Sequence, residues 1–335
     1  MRLGITLPLT DIHGDPATVR DFAQAAEGLG YHHLGAPDHV LGVNVASRPD
    51  WGNRNTSKDF FHDPFVMFGF LSACTRRIEF STQVMILPQR QTALVAKQAA
   101  CLDVLSGGRF RFGIGIGWNP VEYVGLNESF KNRGKRSEEQ VAVLRALWAS
   151  QHVTFKGKWH TIDDAGINPL PTARRIPLWF GGHEDVTLRR VAKWGDGWIM
   201  LAHPAGPVAN AQFAKLRGYV VEAGRDPNSV GLEVWVSTAE GGPAEWRKQF
   251  QAWKDAGVTH ITVNSTYGRG PHKRIAGRTM SDHLAAMKQY RSAVADLLLT
   301  HPAVMCALLP RDGPCAGSAA RAARQRQRIT ACRAP

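Results

Sequence analysis

Short runs rich in β-branched and aromatic residues recur along this chain, and between them apolar residues repeat at helical spacing. The runs are Leu3–Pro8, His33–Pro37, Ile78–Leu87, Phe110–Ile116, Leu178–Phe180, Gly197–Leu201, Leu232–Thr238 and Thr259–Asn264. Strands that alternate with helices pair in parallel, because each helix carries the chain back across the sheet. Eight such units close a (β/α)8 TIM barrel; a doubly wound open sheet is the other arrangement this order permits. The first helical stripe is Val19, Phe22, Ala23, Ala26 and Leu29, with Asp15 as cap, Pro16 at the first position and Gly30 at the end. A second stripe, Val95, Ala99, Leu102 and Leu105, closes at Gly107. A third, Val141, Leu144 and Leu147, follows Ser137 and Gln140, which have the spacing of a capping box. In the last stripe, Leu284 to Leu298, Arg291 interrupts the apolar face.

The chain has 335 residues, enough for one barrel, and its 44% hydrophobic and 21% charged content is that of a globular protein. The boundaries read as a barrel over 1–299 and an Ala/Arg/Pro-rich tail over 300–335, expected to be poorly ordered. Six arginines and Asp312 give residues 301–335 a charge of +5, leaving +8 of the total +13 on the body. A basic body suits an anionic ligand such as a phosphate-bearing cofactor. Nucleic acid is not expected, because no basic run is interleaved with aromatics. No membrane span is expected either: Ala293 to Pro310 is interrupted by Asp296, His301 and Pro302. Only Cys74 and Cys101 of the five cysteines fall in the body, which predicts no disulfide framework and a cytoplasmic setting.

In a barrel, chemistry belongs to the loops after the strands. The long connections are residues 40–62, 118–135 and 151–176. Asp38-His39 follows the second run, where a histidine can donate to or accept from a ligand, or serve the scaffold. Gly113 to Gly117 has GxGxG spacing rather than the dinucleotide fingerprint, and is equally readable as a strand whose glycines admit a close neighbour. Gly181-Gly182-His183 lies between a strand and a helix, a place for phosphate or an ordinary turn. Asp63, Asp103 and Arg109 read as structural, in helix caps and a loop ion pair. Trp51, Phe60, Phe61 and Trp118 are read as an aromatic mouth suited to a lipophilic small-molecule substrate. No metal-ligand spacing, P-loop or GxSxG elbow is present, which disfavours hydrolase and NTPase chemistry.

Taken together, Ile78 to Val84, Leu105 to Phe110, Gly113 to Trp118, Glu122, Arg133-Gly134, Leu144 to Trp148, Pro177 to His183 and Gly195 to Trp198 resemble the bacterial luciferase-like superfamily, in particular its coenzyme F420-dependent oxidoreductases. The resemblance runs from about Leu3 to Leu298. It implies a (β/α)8 barrel with an insertion at 151–176 and hydride transfer to or from the C5 of a deazaflavin. His39 would stand near the deazaflavin ring, and Gly181, Gly182 and His183 at a phosphate-binding turn. Thr82, Gln83 and Val84 would form a bulge behind the ring with a cis Gln83–Val84 peptide. Gly117 would lie at the cofactor, and Trp118 would stack on the ring or substrate or simply pack. Ile116 stands where the FMN-binding branch carries a phosphate-holding arginine, which favours F420 over FMN. Trp118 stands where sugar-phosphate dehydrogenases of the family carry a glutamate, so that substrate is not implied. The rival readings are an FMN-dependent monooxygenase served by a separate reductase, and a non-catalytic flavin or deazaflavin binder. A homodimer is the expected assembly.

Overall fold

The computed structural model describes residues 1–268 and 270–298; the tail read from the sequence at 300–335 lies outside the described residues. The chain opens with strand β1 (Arg2–Thr6), the short helix α1 (Leu9–Ile12), α2 (Pro16–Gly28), β2 (His33–Ala36) and α3 (Pro64–Cys74). It continues through β3 (Glu79–Thr82), β4 (Met85–Ile86), α4 (Thr92–Leu105), β5 (Phe110–Gly115), α5 (Pro120–Gly125) and α6 (Arg133–Ala149). Then come β6 (Val153–Lys156), β7 (Thr161–Ala165), β8 (Leu178–Gly181), α7 (Asp185–Trp194), β9 (Gly197–Met200) and α8 (Pro207–Glu222). The described part ends with β10 (Gly231–Ser237), α9 (Pro243–Asp255), β11 (His260–Asn264), α10 (Met280–Ala293) and α11 (Ala295–Leu298).

All pairings in the main sheet are parallel, and the sheet closes on itself. Strand β1 pairs β2 on one side and β11 on the other; β5 joins β3 and β4 to β8. The run Ile78–Leu87, read from sequence as one strand, is two: β3 stops at Thr82 and β4 resumes at Met85, with a cis Gln83–Val84 peptide between. Counted as one barrel position, they make the fold the expected eight-stranded (β/α)8 TIM barrel. The insertion at 151–176 carries the antiparallel hairpin β6–β7, whose apolar residues Val153, Phe155 and Ile162 pack on the core but are too few to write a strand pattern in the sequence.

Local signals explain the helices. Asp15 accepts from the Thr18 N–H at 2.9 Å and Pro16 opens α2, which buries Val19, Phe22, Ala23 and Ala26. Asp63 caps α3 in the same way. Arg291 is no flaw in α10: its Nε donates to the Leu29 carbonyl at 3.1 Å and closes the C-terminal end of α2. The capping box expected at Ser137 and Gln140 is absent, because α6 starts a turn earlier at Arg133. Ser137 is buried within that helix, and Gln140 donates to Leu87 O, Arg90 O and Thr92 Oγ1. Nor does Asp103 cap a helix; it accepts from Thr172 N at 2.7 Å and ties the insertion to α4. Arg109 makes no ion pair within 4 Å among the described residues, and instead donates to the carbonyls of Ser72, Ile78 and Ser106.

The barrel interior is unusually polar. Glu233 of β10 is fully buried and takes hydrogen bonds from Arg111, Gln83 and Thr262. His33 bonds Thr262 Oγ1 at 2.8 Å. Room for these long side chains comes from glycines on neighbouring strands: a Cβ on Gly35 would overlap the Gln83 carboxamide, and one on Gly4 the His33 ring. Burial alone would keep the Glu233 carboxyl protonated; the Arg111 guanidinium and His33 outweigh it and hold it well below the usual carboxylate range.

Candidate active site

A cavity of about 540 Å³ opens at the C-terminal ends of the barrel strands. One wall is Pro37, Asp38 and His39 after β2, Gln83 and Val84 between β3 and β4, and Gly117 and Trp118 after β5. Facing it are Leu201 after β9, Trp235 of β10, and Tyr267 and His272 after β11. The size and largely apolar lining with a few polar groups are those of a small-molecule site.

His39 is the polar side chain with the most elaborate support. Its Nδ1 lies 3.3 Å from Glu122 Oε1. Asn119 caps α5 by accepting from Val121 N at 3.0 Å, and Pro120 opens it, which fixes Glu122 in the first turn. Glu122 Oε1 also accepts from Val40 N at 2.9 Å and Leu41 N at 3.3 Å. Burial opposes its ionisation, but His39 and these two amides prevail and hold the carboxyl below its ordinary range. An ionised partner on Nδ1 fixes the imidazole and leaves Nε2 as the ring nitrogen that can act in the cavity. Its ring also packs against Phe61, with centroids 4.9 Å apart.

The preceding residue anchors that loop. Asp38 Oδ1 accepts from Arg90 Nη2 at 2.7 Å, and Oδ2 from Ile86 N at 3.1 Å. Burial pushes the Asp38 carboxyl up despite Arg90. Arg90 also binds Asp63 at 2.9 Å, so one guanidinium joins the loops after β2 and β4 to the start of α3.

Of the residues singled out in the sequence, His39, Gln83, Val84, Gly117, Trp118 and His183 line this one cavity. Thr82, Gly181 and Gly182 are not in its wall. Thr82 Oγ1 donates to the Gly113 carbonyl at 2.6 Å, below the floor. A Cβ on Gly181 would stand 2.8 Å from Val84 Cγ1, so this glycine admits the Val84 side chain. Gly182, at φ +113°, accepts from Trp198 Nε1 at 2.6 Å. A space of about 10 Å³ beside Gly181 is bordered by Ile116, Thr187 and Arg190, whose guanidinium pairs with Glu138 at 3.0 Å. The aromatic mouth is only partly assembled. Trp51 lies against Trp118 at 5.6 Å, with the Arg54 guanidinium over both rings, but Trp51, Phe60 and Phe61 do not line the cavity. Phe60 packs on His62 instead.

Sequence reading missed the far wall. Trp235 stacks on Tyr267 with ring centroids 6.0 Å apart, and His272 meets Trp235 edge-on at 5.7 Å. His272 Nε2 donates to the Leu201 carbonyl at 2.9 Å. Burial, only partly opposed by that carbonyl, lowers its pKa and favours the neutral ring. No local motif marks these residues; closure of the barrel brings them opposite His39. Among the described residues no group of three His, Cys, Asp or Glu is placed to hold a metal ion, and no helix is long and apolar enough to cross a membrane.

Residues 1–296 match the family described as luciferase-like monooxygenase. The chain belongs to this family. A curated relative, an uncharacterized protein of Mycobacterium tuberculosis, is 32% identical over 258 residues, which cover 74% of this chain and 86% of the relative. Among solved structures, monooxygenase RslO1 from Streptomyces bottropensis superposes with a TM-score of 0.73 at 16% identity, covering 89% of this chain and 100% of that one. An F420-dependent secondary alcohol dehydrogenase in complex with an F420-acetone adduct gives 0.69 at 19% identity, covering 90% and 98%. These likenesses show a luciferase-like barrel whose neighbours include monooxygenase and F420-dependent enzymes.

Proposed function

We propose that this member is a coenzyme F420-dependent oxidoreductase acting on a small organic substrate. The observation that carries the proposal is the buried Glu122 carboxylate on Nδ1 of His39, at the wall of a largely apolar cavity. The cavity fits a flat ring. Its floor is the Gln83–Val84 segment, whose neighbours are seated by glycines: a Cβ on Gly115 would stand 2.5 Å from Val84 Cγ2, and one on Gly117 2.7 Å from Ile86 Cγ2, so Val84 and Ile86 take those places. Val84, Gly117 and Trp118 would hold the ring, with the phosphate toward His183 and the Gly181-Gly182 turn. When bound, the deazaflavin supplies hydride chemistry at C5.

The chain's own residues do the rest. Glu122 orients His39 through Nδ1 and ties it to the backbone at Val40. His39 Nε2 gives a proton to, or takes one from, the substrate oxygen or nitrogen next to the reacting carbon. Val84, Ile86, Trp118 and Trp235 exclude water and hold the substrate against the ring. A homodimer belongs to this proposal; exposed Val66 and Phe70 of α3 and Leu94 of α4 are apolar surface that a second copy would cover. The family description and the RslO1 likeness keep one rival in play, an FMN-dependent monooxygenase with a separate reductase. Turnover separates the two. Under argon, a panel of alcohols and carbonyl compounds is expected to change the deazaflavin absorbance with enzyme present. Product formed only with oxygen and reduced FMN would replace the proposal by the rival.

A further inference from the structure

Beside the cavity lies a second hollow of about 570 Å³, between the loop after β10 and the loop from β11 to α10. Gly270 and His272 stand in the walls of both, so the two spaces are neighbours across one loop. The chemistry changes sharply between them. The cavity is walled by Val84, Trp118 and Trp235; among the described residues the trough carries Lys273, Arg274 and Arg278 against one acid, Glu240.

The basic loop is held in place from several sides. His272 Nε2 donates to Leu201 O, Lys273 N to Ser237 Oγ at 3.0 Å, and Ile275 N to Ser265 O at 3.0 Å. Arg274 is paired with the buried Asp11 after β1. Four barrel positions therefore fix the loop before any ligand arrives, and Arg274 serves that anchoring. Lys273 and Arg278 are differently placed. Lys273 meets Glu240 only at 3.9 Å with both side chains more than half exposed, a contact that contributes little in water. Arg278 makes no ion pair within 4 Å among the described residues. Two available cations beside an apolar cavity complement a ligand with a flat apolar body and an anionic arm. The Gly181-Gly182 turn, after β8, lies two barrel strands away from β10, so this trough is a different place from the phosphate site proposed above.

We infer that the trough beyond His272 binds a carboxylate or phosphate arm of the ligand whose apolar part occupies the cavity, with Lys273 and Arg278 as the recognising groups. The inference rests on the oxidoreductase reading only for the nature of the cavity's ring. Two sources could supply the arm, the substrate or the cofactor, and the experiment separates them.

The test measures dissociation constants by fluorescence for two probe pairs. One pair is 4-(2-naphthyl)butanoate and its neutral amide; the other is coenzyme F420 and the same deazaflavin without its phosphate and glutamyl arm. Each is titrated into the wild-type protein and into the double variants Lys273→Glu/Arg278→Glu and Lys273→Ala/Arg278→Ala, with thermal unfolding as the check on folding. Charge reversal is expected to weaken the butanoate at least about tenfold, leave the amide unchanged, and be matched in direction by the alanine pair. A loss confined to intact F420 keeps the trough and assigns its arm to the cofactor. Wild-type affinities that do not distinguish the charged from the neutral member of either pair, or that survive charge reversal, overturn the inference. If neither deazaflavin binds while the butanoate preference depends on Lys273 and Arg278, the oxidoreductase reading fails and the trough stands.

Discussion

His39 and Glu122 are 83 residues apart in sequence and 3.3 Å apart in space. His39→Ala is expected to lower turnover roughly 10²-fold or more while leaving deazaflavin affinity within about threefold, since general acid–base catalysis commonly contributes that much. Unchanged kinetics would remove His39 from the mechanism. Glu122→Gln keeps an oxygen for the Val40 and Leu41 amides but loses the charge on Nδ1. Because the native Glu122 carboxyl sits below an unfolded glutamate's value of about 4.3, the unfolded chain binds its proton first as pH falls. Its stabilising contribution is complete above that pH and is lost as pH drops through the lower native value. Urea midpoints between pH 6 and pH 3 should therefore fall less steeply in Glu122→Gln; parallel curves would contradict the assignment. His39 could be found from sequence because it follows a strand run at the expected face. Glu122 could be quoted but given no role, because nothing local says that the first turn of α5 folds back onto residues 39–41.

At the scale of elements, glycines divide into those that make room and those that do not. A Cβ on Gly113 of β5 would run into the carbonyl oxygen of Thr82, a backbone atom that cannot rotate away. Gly113→Ala is expected to cost about 2–3 kcal/mol by overpacking. Gly69, within α3, meets nothing within 4 Å, and Gly69→Ala should stabilise by about 0.5–1 kcal/mol through helix propensity. Thermal or urea unfolding of the two variants reads both signs; equal and small effects would show that β5 has slack the packing does not suggest. Strands such as Phe110–Gly115 were legible because both faces are buried and the runs are apolar. The ends were less so: periodicity alone carries straight through Gln83–Val84, where only the resemblance placed the cis bulge that the structure has, and a spacing that suits a cap at Ser137 falls inside a helix. Hairpin β6–β7 buries Val153 and half-buries Phe155 and Ile162, too few positions to write a pattern.

For the whole molecule, barrel closure creates features that no window of sequence contains. It buries Arg111, Glu233, His33 and Gln83 in one network, and it sets Trp235, Tyr267 and His272 across from His39. His33 is fully buried and its pKa is lowered by that burial, even though Glu233 favours the charged form. His260 is driven down to about 2 by burial and by Arg111. An unfolded histidine protonates near about 6.5, so below that pH the unfolded chain binds protons the native chain does not, and stability falls toward acid. The urea midpoint is expected to decline steadily from pH 7 to pH 5, before carboxylates titrate. A midpoint flat over that range would mean these rings are not held neutral.

The central claim is the cofactor, and the most direct test is a pair of fluorescence titrations of the purified full-length chain, one with oxidised coenzyme F420 and one with FMN. The account expects saturable binding of F420 at least about tenfold tighter than FMN, a preference that rests on Ile116 standing where the resemblance places the FMN branch's phosphate-holding arginine. Selective binding of FMN would contradict it.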